Sequence, residues 1–347
     1  MVIGIIGAGI AGLTAGRTLS QAGHDVTIFE KSRGYGGRMA TRYAGDDLKL
    51  KLDHGVSYFT ANSPEFQEFT AELLEKKIIK LWGDNFKYWD SEKMIDRNPN
   101  QQDRATFTAV DGMNSIGKYL SRWVDVNNNE RVGGLTHIGQ NRSKKRSWMI
   151  NLLSRETFGV DAVIIATPAP QAYGILNTTT DEISTLKMIR DIDEISYRPS
   201  YSLMLGYGEQ KIPDWNGIHC KNSSIRFISN EASKRDLNNE CTLVVHSTNS
   251  FAGKHRHSDE ETVKKALLSE LSQIIGGWSV TPEWSQLHFW KFSQPAKTLK
   301  QPFFELEVEE TPLALVGDYF ESGDLDAAYT SGYKLASHWV EKYKGWE

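Results

Sequence analysis

Apolar and polar positions follow a regular pattern along the first thirty residues. Residues 2–6, VIGII, form a continuous apolar run of the buried-strand type, and residues 25–30, DVTIFE, form a second one. Between them, residues 9–21 repeat apolar positions at helical spacing and end at the glycine-containing sequence AGH, residues 22–24. This succession predicts a βαβ unit at the start of the chain.

The chain then leaves this first layer and returns to it. A helix is predicted to begin at Ser63, a suitable N-cap that is followed by Pro64 at the first helical position. From Lys87 to Thr108 the sequence is polar. The further predictions are a loop at 96–104, a helix at 112–124, a basic hairpin tip at 142–146, and strands at 147–153 and 161–168.

A different pattern occupies residues 173–290, where short alternating segments predict strands of an antiparallel or mixed sheet. One helix is predicted at 258–275, with Ser258 and Glu261 in capping-box spacing. Residues 312–343 predict a strand, a loop and a long final helix. The alternating segments are 200–207, 225–230, 241–248 and 287–292.

Composition narrows the class of protein. The chain has 347 residues, 39% hydrophobic and 24% charged, with a net charge of −4, which fits a globular protein of two domains and gives no footprint for nucleic acid. Two cysteines, Cys220 and Cys241, provide no disulfide framework or paired metal ligands, so a reducing cytoplasm and no metal are expected. No stretch approaches the roughly 18 apolar residues of a membrane span, so no membrane partner is expected.

A glycine fingerprint lies between the first predicted strand and helix. Gly7, Gly9 and Gly12 form G-x-G-x-x-G, with Ile10 and Ala11 in the same loop. In this context the glycines allow a tight turn, close approach of a pyrophosphate and close packing of helix on strand. Glu30 ends the second strand, where an acidic side chain can bind the hydroxyls of an adenosine ribose. The sequence therefore predicts a dinucleotide site.

A second glycine cluster follows Glu30 directly, in the sequence EKSRGYGGRMATRY. Gly36 and Gly37 allow another close approach, and Arg38 adds a fixed positive charge where the middle of an extended ligand would lie. The pattern E-x-x-x-G-x-G-G-R resembles the flavoprotein amine oxidase group, in which this loop runs along the pyrophosphate and ribityl chain of FAD. A nicotinamide enzyme has no usual need for it, so FAD is the expected cofactor.

Further blocks extend the resemblance to nearly the whole chain. Together with the second glycine cluster they are similar to the bacterial renalase-like branch of that group, whose members bind FAD without a covalent bond. The resemblance implies oxidation of misreduced dihydronicotinamides, the 2- or 6-dihydro forms of NAD(P), by hydride transfer to flavin N5 with O2 as acceptor, giving NAD(P)+ and H2O2. The blocks are DHGVSYFTA, DGMNSI, ATPAPQ, VVHSTNSF, HFWKFSQPA and GDYFESGDLDAAYTSG.

The resemblance also implies a set of cofactor contacts beyond the first loop. In related flavoproteins an aspartate at the position of Asp318 binds the ribityl or pyrophosphate side, and the next helix points its N-terminus at the flavin pyrimidine ring. Backbone N–H groups around Ala327 and Ala328 are expected to stabilise charge on reduced flavin, whereas Asp326 is expected to cap this helix. The remaining implied contacts are Lys31, Arg33, Ser57, Tyr58, Val132 and Gly317.

The substrate side is expected to use aromatic and amide side chains. His246 stands on a predicted strand, and the resemblance places it in the flavin chamber. Oxidation of a dihydropyridine needs no general base, because the ring nitrogen supplies the electron push, so His246 is expected to orient the substrate. The other candidate catalytic residues are Tyr58, Asn249, Trp290 and Tyr319.

Two other functions stay open: an amine oxidase or desaturase on the same fold, and a non-catalytic FAD-binding sensor. The expected partners are a small molecule, a dihydronicotinamide dinucleotide or an amine, and O2, with the protein a monomer or weak dimer. The expected fold class is α/β, α+β overall, with a Rossmann-like FAD-binding domain of the glutathione reductase and amine oxidase type interleaved with a mixed-sheet substrate domain. The predicted FAD-binding domain comprises 1–62, 106–172 and 294–347, and the predicted substrate domain 63–105 and 173–293.

Overall fold

A computed structural model describes residues 1–45, 48–96, 104–138, 146–179, 184–235, 237, 240–308 and 311–345. Most of the loop predicted at 96–104 and of the hairpin tip predicted at 142–146 lies outside these residues. The strands are β1 (Val2–Ile6), β2 (Asp25–Glu30), β3 (Thr41–Ala44), β4 (Leu50–Asp53), β5 (Ile79–Leu81), β6 (Phe86–Trp89), β7 (Met94–Ile95), β8 (Phe107–Ala109), β9 (Asp125–Asn128), β10 (Val132–His137), β11 (Trp148–Leu152), β12 (Thr157–Val160), β13 (Ala162–Ile165), β14 (Tyr197–Gly206), β15 (Gly217–Cys220), β16 (Ile225–Asn230), β17 (Thr242–Ser247), β18 (Trp284–Pro295), β19 (Phe304–Val308) and β20 (Thr311–Leu315).

The helices are α1 (Ile10–Gln21), α2 (Pro64–Glu75), α3 (Asn114–Leu120), α4 (Ala169–Asn177), α5 (Ser184–Ile192), α6 (Asn249–Lys254), α7 (Glu260–Ile275) and α8 (Leu325–Lys342). Short 3-10 helices span Ser121–Trp123, Glu231–Ser233 and Gly277–Val280.

A six-stranded sheet in the order β19-β20-β13-β1-β2-β9 forms the first layer. β1 pairs in parallel with β2 and β13, so that Ile5 lies opposite both Ile28 and Ile164. The core on one face contains side chains of α1, α2, α3 and α8, and the core on the other contains β10–β12, α4 and α5. Because both faces are covered, β1 and β13 are apolar on both sides, which is why their sequences are unbroken apolar runs. The predicted βαβ unit and α/β class are confirmed.

A seven-stranded mixed sheet in the order β18-β14-β17-β16-β15-β6-β7 forms the second layer. β14 pairs antiparallel with β17 and β18, whereas β6 runs parallel to β15. One face packs on α6 and α7, whose buried residues include Phe251 and Leu267. The polar stretch that begins near residue 87 contains β6 and β7, which form one end of this sheet, with β7 as its edge strand.

One of the two predicted helix caps is found, and the other is shifted by one residue. Ser63 caps α2 as expected, and its hydroxyl accepts from the Phe66 N–H. Asp259 rather than Ser258 caps α7, accepting from the Thr262 N–H at 2.9 Å. Asp and Ser cap equally well, so the sequence could not separate these adjacent residues.

The predicted division of the chain into domains stays a prediction, and two elements bear on it. α2 was assigned to the substrate side, yet its Phe66 and Phe69 lie in the same core as Ile5 of the first sheet. β6, from the same predicted segment, belongs to the seven-stranded sheet. Residues 63–105 therefore contribute to both layers.

A buried ion cluster joins the two layers beside the cavity described below. The Asp53 carboxylate at the end of β4 lies 2.5 Å from the Arg235 guanidinium and 3.4 Å from the Lys234 ammonium, and Lys234 also contacts Glu231 at 2.7 Å. Burial opposes ionisation of Asp53, but these two cations hold its pKa below the usual value. Asp53 also accepts from the Met113 N–H, which fixes the start of the segment 54–60.

Candidate active site

One large cavity lies between the two layers. Its volume is about 1710 Å³, and its walls include both glycine loops, the segment 54–60, β18 and the N-terminus of α8. Pockets for one small molecule usually measure roughly 300–1,000 Å³. The cavity is therefore large enough for an extended cofactor and a second molecule.

The first glycine loop packs tightly against the layer beneath it. A Cβ added to Gly12 would overlap the carbonyl oxygen of Gly7, whereas one added to Gly9 would meet nothing within 4 Å and would project into the cavity. Gly12 thus serves the packing of α1 on β1, and Gly9 keeps the backbone open to a ligand. Gly7, Gly9, Ile10 and Ala11 line the cavity, but Gly12 does not.

The second glycine loop lies directly on the first. The Gly36 N–H donates to the Ala8 carbonyl at 2.8 Å, and Gly9 and Gly36 form a parallel bridge. Gly36 and Gly37 have φ of 94° and 56°, in the left-handed region that favours glycine. The two loops make one continuous backbone surface along the cavity.

Glu30 is held by both loops. Its carboxylate accepts from the Ala8 N–H and from the Ser32 N–H, each at 2.8 Å and each on a different oxygen. A carboxylate oxygen can accept a second hydrogen bond, so Glu30 keeps capacity for ligand hydroxyls in the cavity wall.

Arg38 and Asp318, expected as separate ligand contacts, form a bidentate ion pair. The two guanidinium nitrogens of Arg38 lie 2.5 and 2.8 Å from the two carboxylate oxygens of Asp318, and the Tyr197 hydroxyl donates to Asp318 at 2.7 Å. The fixed positive charge expected of Arg38 is thus paired with a carboxylate, and its contact with the ligand stays a prediction. Both residues still line the cavity, where Asp318 fixes the guanidinium orientation.

The N-terminus of α8 reaches the cavity, but not through the expected groups. Asp324 is the N-cap, and the N–H groups of Ala327 and Ala328 donate to its side chain and carbonyl. The first-turn N–H groups of Leu325 and Asp326 have no acceptor within the helix, and these residues line the cavity.

The Asp326 side chain was expected to cap α8, but it does not. It accepts from the Asn62 N–H at 2.6 Å and from the Ser63 N–H at 3.0 Å, and its other oxygen accepts from the Ser63 hydroxyl. Asp326 therefore ties α8 to the start of α2, a contact between segments 263 residues apart that no local pattern specifies.

Two family models match the chain. A NAD(P)-binding Rossmann-like domain matches residues 5–73, and the flavin containing amine oxidoreductase family matches residues 90–338, well over half of the chain. The chain belongs to the flavin-containing amine oxidoreductase family. The expected flavoprotein amine oxidase group, the Rossmann-like fold and the FAD cofactor are confirmed, whereas the renalase-like branch stays a prediction.

Curated relatives match only short segments of this flavoprotein. It is 32% identical over 93 residues to a 4-hydroxybenzoate brominase (decarboxylating) from Pseudoalteromonas luteoviolacea, covering 27% of the chain and 18% of the relative. It is 54% identical over 86 residues to a 4,4'-diapophytoene desaturase from Staphylococcus aureus, covering 23% of the chain and 17% of the relative. The chain thus spans less than a fifth of the length of these relatives.

Solved amine oxidases share the fold over nearly the whole flavoprotein. Cyclohexylamine oxidase from Brevibacterium oxydans superposes with a TM-score of 0.75 at 12% identity, covering 99% of both chains. A putrescine oxidase variant superposes with a TM-score of 0.71 at 13% identity, covering 98% of both chains. At such low identity the likeness shows the fold alone.

The cavity fits FAD on independent observations. The surface around Gly9 is open where any larger side chain would project, the Glu30 carboxylate faces it, and the first turn of α8 directs amides towards it. Cys220 and Cys241, the two cysteines of the chain, are not among the residues that line the cavity.

The described residues contain no group of three or more His, Cys, Asp or Glu side chains suited to a metal ion. In the same ranges, no helix is long and apolar enough to cross a membrane.

His246 lines the cavity but directs both ring nitrogens at serines. Nε2 lies 2.8 Å from the Ser57 hydroxyl oxygen, and Nδ1 lies 3.1 Å from that of Ser202. Burial, followed by the charges of Arg226, Lys234 and His54, holds the pKa of His246 well below 6.5, so the ring is neutral at pH 7. Both ring nitrogens of His246 therefore have serine partners, and its expected role in orienting a substrate stays a prediction.

Aromatic rings cover two parts of the cavity. Tyr58 packs against Trp82, Phe86 and Phe227, and its hydroxyl lies 3.3 Å from His219 Nε2. Trp290 stacks on His54 with ring centroids 5.3 Å apart and donates its indole N–H to the His54 carbonyl.

Other predicted site residues divide clearly. Tyr319 was expected at the site, but it is fully buried against Phe320 and is not among the residues that line the cavity, nor is Ala327. Asn249 lines the cavity, and its side chain donates to the Pro199 carbonyl at 2.8 Å. The remaining predicted residues that line the cavity are Lys31, Arg33, Ser57, Tyr58, Val132, Trp290, Gly317 and Ala328.

Sequence reasoning missed the charged residues of the seven-stranded sheet. We define the sheet wall as the residues of this sheet that line the cavity, and its charged members are Arg226 and Lys291. In the described ranges the sheet wall contains no carboxylate. The acids that line the cavity belong to other parts of the chain and are Glu30, Glu130, Asp318, Asp324 and Asp326. The complete sheet wall is Ser200, His219, Arg226, Phe227, His246, Gln286, His288, Trp290, Lys291, Phe292, Ser293 and Gln294.

Proposed function

We propose that this flavoprotein is a renalase-like oxidase that converts 2- or 6-dihydro-NAD(P) to NAD(P)+, with O2 reduced to H2O2. Bound non-covalently, FAD supplies the two-electron acceptor at flavin N5 and the route to O2. The substrate would give up a hydride, and its ring nitrogen lone pair would become part of the aromatic pyridinium. No residue of the chain has to remove a proton from carbon.

The charge of the sheet wall carries this proposal. Arg226 and Lys291 are cations, and no carboxylate accompanies them in the described part of the sheet wall. A protonated amine would meet like charge there, whereas a dinucleotide brings phosphates that an arginine binds well. The sheet wall therefore favours an anionic substrate over an ammonium.

The chain's own residues supply orientation and shielding. Trp290, held by its hydrogen bond to the His54 carbonyl, offers a fixed ring edge or face to a planar substrate. His246 holds the Ser57 hydroxyl in the cavity wall at 2.8 Å. Tyr58 and Phe227 add apolar surface that excludes water from the site.

Anaerobic reduction of the purified FAD-loaded protein tests the proposal. Purified 2-dihydro- and 6-dihydro-NAD(P) should bleach the flavin absorbance in a single fast phase. Ordinary NADH, the 4-dihydro isomer, should do so far more slowly. A panel of primary and secondary amines serves as the comparison. Rapid bleaching by an amine and none by any dihydronicotinamide would replace the proposal with amine oxidation, and no bleaching by either would favour a sensor.

A further inference from the structure

Arg226 occupies an irregular point in β16. The strand pairs with β17 so that Ile225 lies opposite Ser247 and Phe227 lies opposite His246, and a bulge falls between the two pairs. Ile225 is buried in the core against α7, whereas Arg226 and Phe227 both line the cavity. Alternation from the buried Ile225 places Arg226 on the cavity face, and the bulge places Phe227 on that same face beside it.

The guanidinium of Arg226 has no carboxylate partner among the described residues. The guanidinium interacts electrostatically with the Tyr58 hydroxyl, and its charge lowers the pKa of His219 and of His246. Burial and this charge lower the pKa of His219 to about 4, and burial raises the pKa of Tyr58 to about 12. Tyr58, His219 and His246 are therefore uncharged at pH 7.

The position of Arg226 points to a ligand. Its side chain lines the cavity and is exposed to solvent, so an anion that enters the cavity can reach the guanidinium. By contrast, Arg38, Arg235 and Arg17 each have a carboxylate within 3.2 Å. A cavity-facing arginine without such a partner is typical of a site that awaits an anion.

We propose that Arg226 binds a phosphate of the substrate. It would thereby select phosphorylated nicotinamide compounds over nicotinamide riboside, which has no phosphate. The inference rests on the proposed function and deepens it, because it assigns the substrate's anionic group to one residue. Its place on the cavity face of β16 supplies the orientation, and no described carboxylate compensates its charge before the phosphate binds.

Calorimetric titration of the FAD-loaded protein tests this without turnover. The probes are NAD+, nicotinamide riboside and inorganic pyrophosphate, and the proteins are wild type, Arg226→Gln and Arg226→Lys. Losing a charge-assisted hydrogen bond should weaken NAD+ and pyrophosphate binding about 10- to 100-fold in Arg226→Gln. The riboside should change less than about twofold, and Arg226→Lys should retain part of the affinity because it keeps the charge without the fork.

Arg256→Gln is the matched control, because Arg256 is exposed and is not among the residues that line the cavity. Flavin absorbance of each variant verifies that FAD is retained. Equal binding of NAD+ and pyrophosphate by wild type and Arg226→Gln would overturn the inference, as would an equal loss of riboside affinity or no binding of either anion by wild type. If dihydronicotinamides fail to reduce the flavin but the phosphate-dependent difference persists, the anion site stands and the proposed reaction falls.

Discussion

The two sides of the cavity treat charge in opposite ways. On the cofactor side every lining carboxylate in the described ranges has a donor. Glu30 accepts from two backbone amides, Asp318 from Arg38 and Tyr197, Asp326 from Asn62 and Ser63, Glu130 from Ser154, and Asp324 from Ala327. On the sheet wall, Arg226 has no carboxylate partner among the described residues, and His219 and His246 are held neutral. A side whose hydrogen bonds are already made is rigid before the ligand arrives, and a side with unmet charge determines which ligand is accepted.

The strongest test of the rigid side is Gly12→Ala. The added methyl group would overlap the Gly7 carbonyl oxygen, so α1 and the loop have to separate. We expect purified Gly12→Ala to contain little or no FAD, measured as the flavin-to-protein absorbance ratio. Gly253→Ala is the control, because an added Cβ there meets nothing within 4 Å. A normal FAD content in Gly12→Ala would contradict the role given to this packing.

The ion pair across the cofactor side gives the next largest effect. Asp318→Asn leaves the Arg38 guanidinium partly buried without its carboxylate. We expect a loss of about 2–4 kcal/mol in unfolding free energy, measured by urea denaturation, together with weaker FAD binding. Asp324→Asn should change stability little, because asparagine caps a helix about as well as aspartate. Similar losses in both variants would show that the pair has no special weight.

His246→Leu tests the hydrogen bonds that the neutral His246 makes in the sheet wall. Leucine fills much of the space but leaves the hydroxyls of Ser57 and Ser202 without the ring nitrogens. We expect a loss of about 1–3 kcal/mol in unfolding free energy, since buried polar groups would lose partners. His246→Gln should recover part of this loss and should alter KM more than kcat. The exposed His257→Leu serves as control; stability unchanged in His246→Leu would refute the positioning role.

The neutral histidines also predict a pH dependence. Burial and neighbouring positive charge lower the pKa of His54 to about 3 and that of His219 to about 4 in the folded protein, against about 6.5 when unfolded. Below pH 6.5 the unfolded chain therefore binds protons that the folded chain does not. Stability should fall from pH 6.5 towards pH 4, by at most about 1.4 kcal/mol per pH unit for each histidine.

Urea denaturation between pH 7.5 and pH 4.5 measures this slope, and His219→Gln should reduce it. The same logic predicts that Arg226→Gln raises the pKa of His219, because it removes a charge that lowers it. Histidine NMR titration detects that change. A slope that is the same with and without His219, or a His219 pKa unmoved by Arg226→Gln, would contradict the account of the sheet wall.

Features set by neighbours in the chain could be predicted from the sequence. The spacing of Gly7, Gly9 and Gly12 after an apolar run predicts the fingerprint, because turn, helix start and strand are all local. The Ser63 cap was predictable for the same reason. Tyr319 was misplaced because a residue beside a site residue can point away from the site into a core.

The sequence by itself determined the two glycine loops, the first βαβ unit and the family, because each depends on residue types at short, fixed spacing. Only the tertiary structure decided that Asp318 neutralises Arg38, that Asp326 ties α8 to α2, and that Arg226 and Phe227 lie on the same cavity face of β16. These features join segments far apart in the chain. Their geometry depends on strand register and packing, for which no single stretch of sequence contains the instruction.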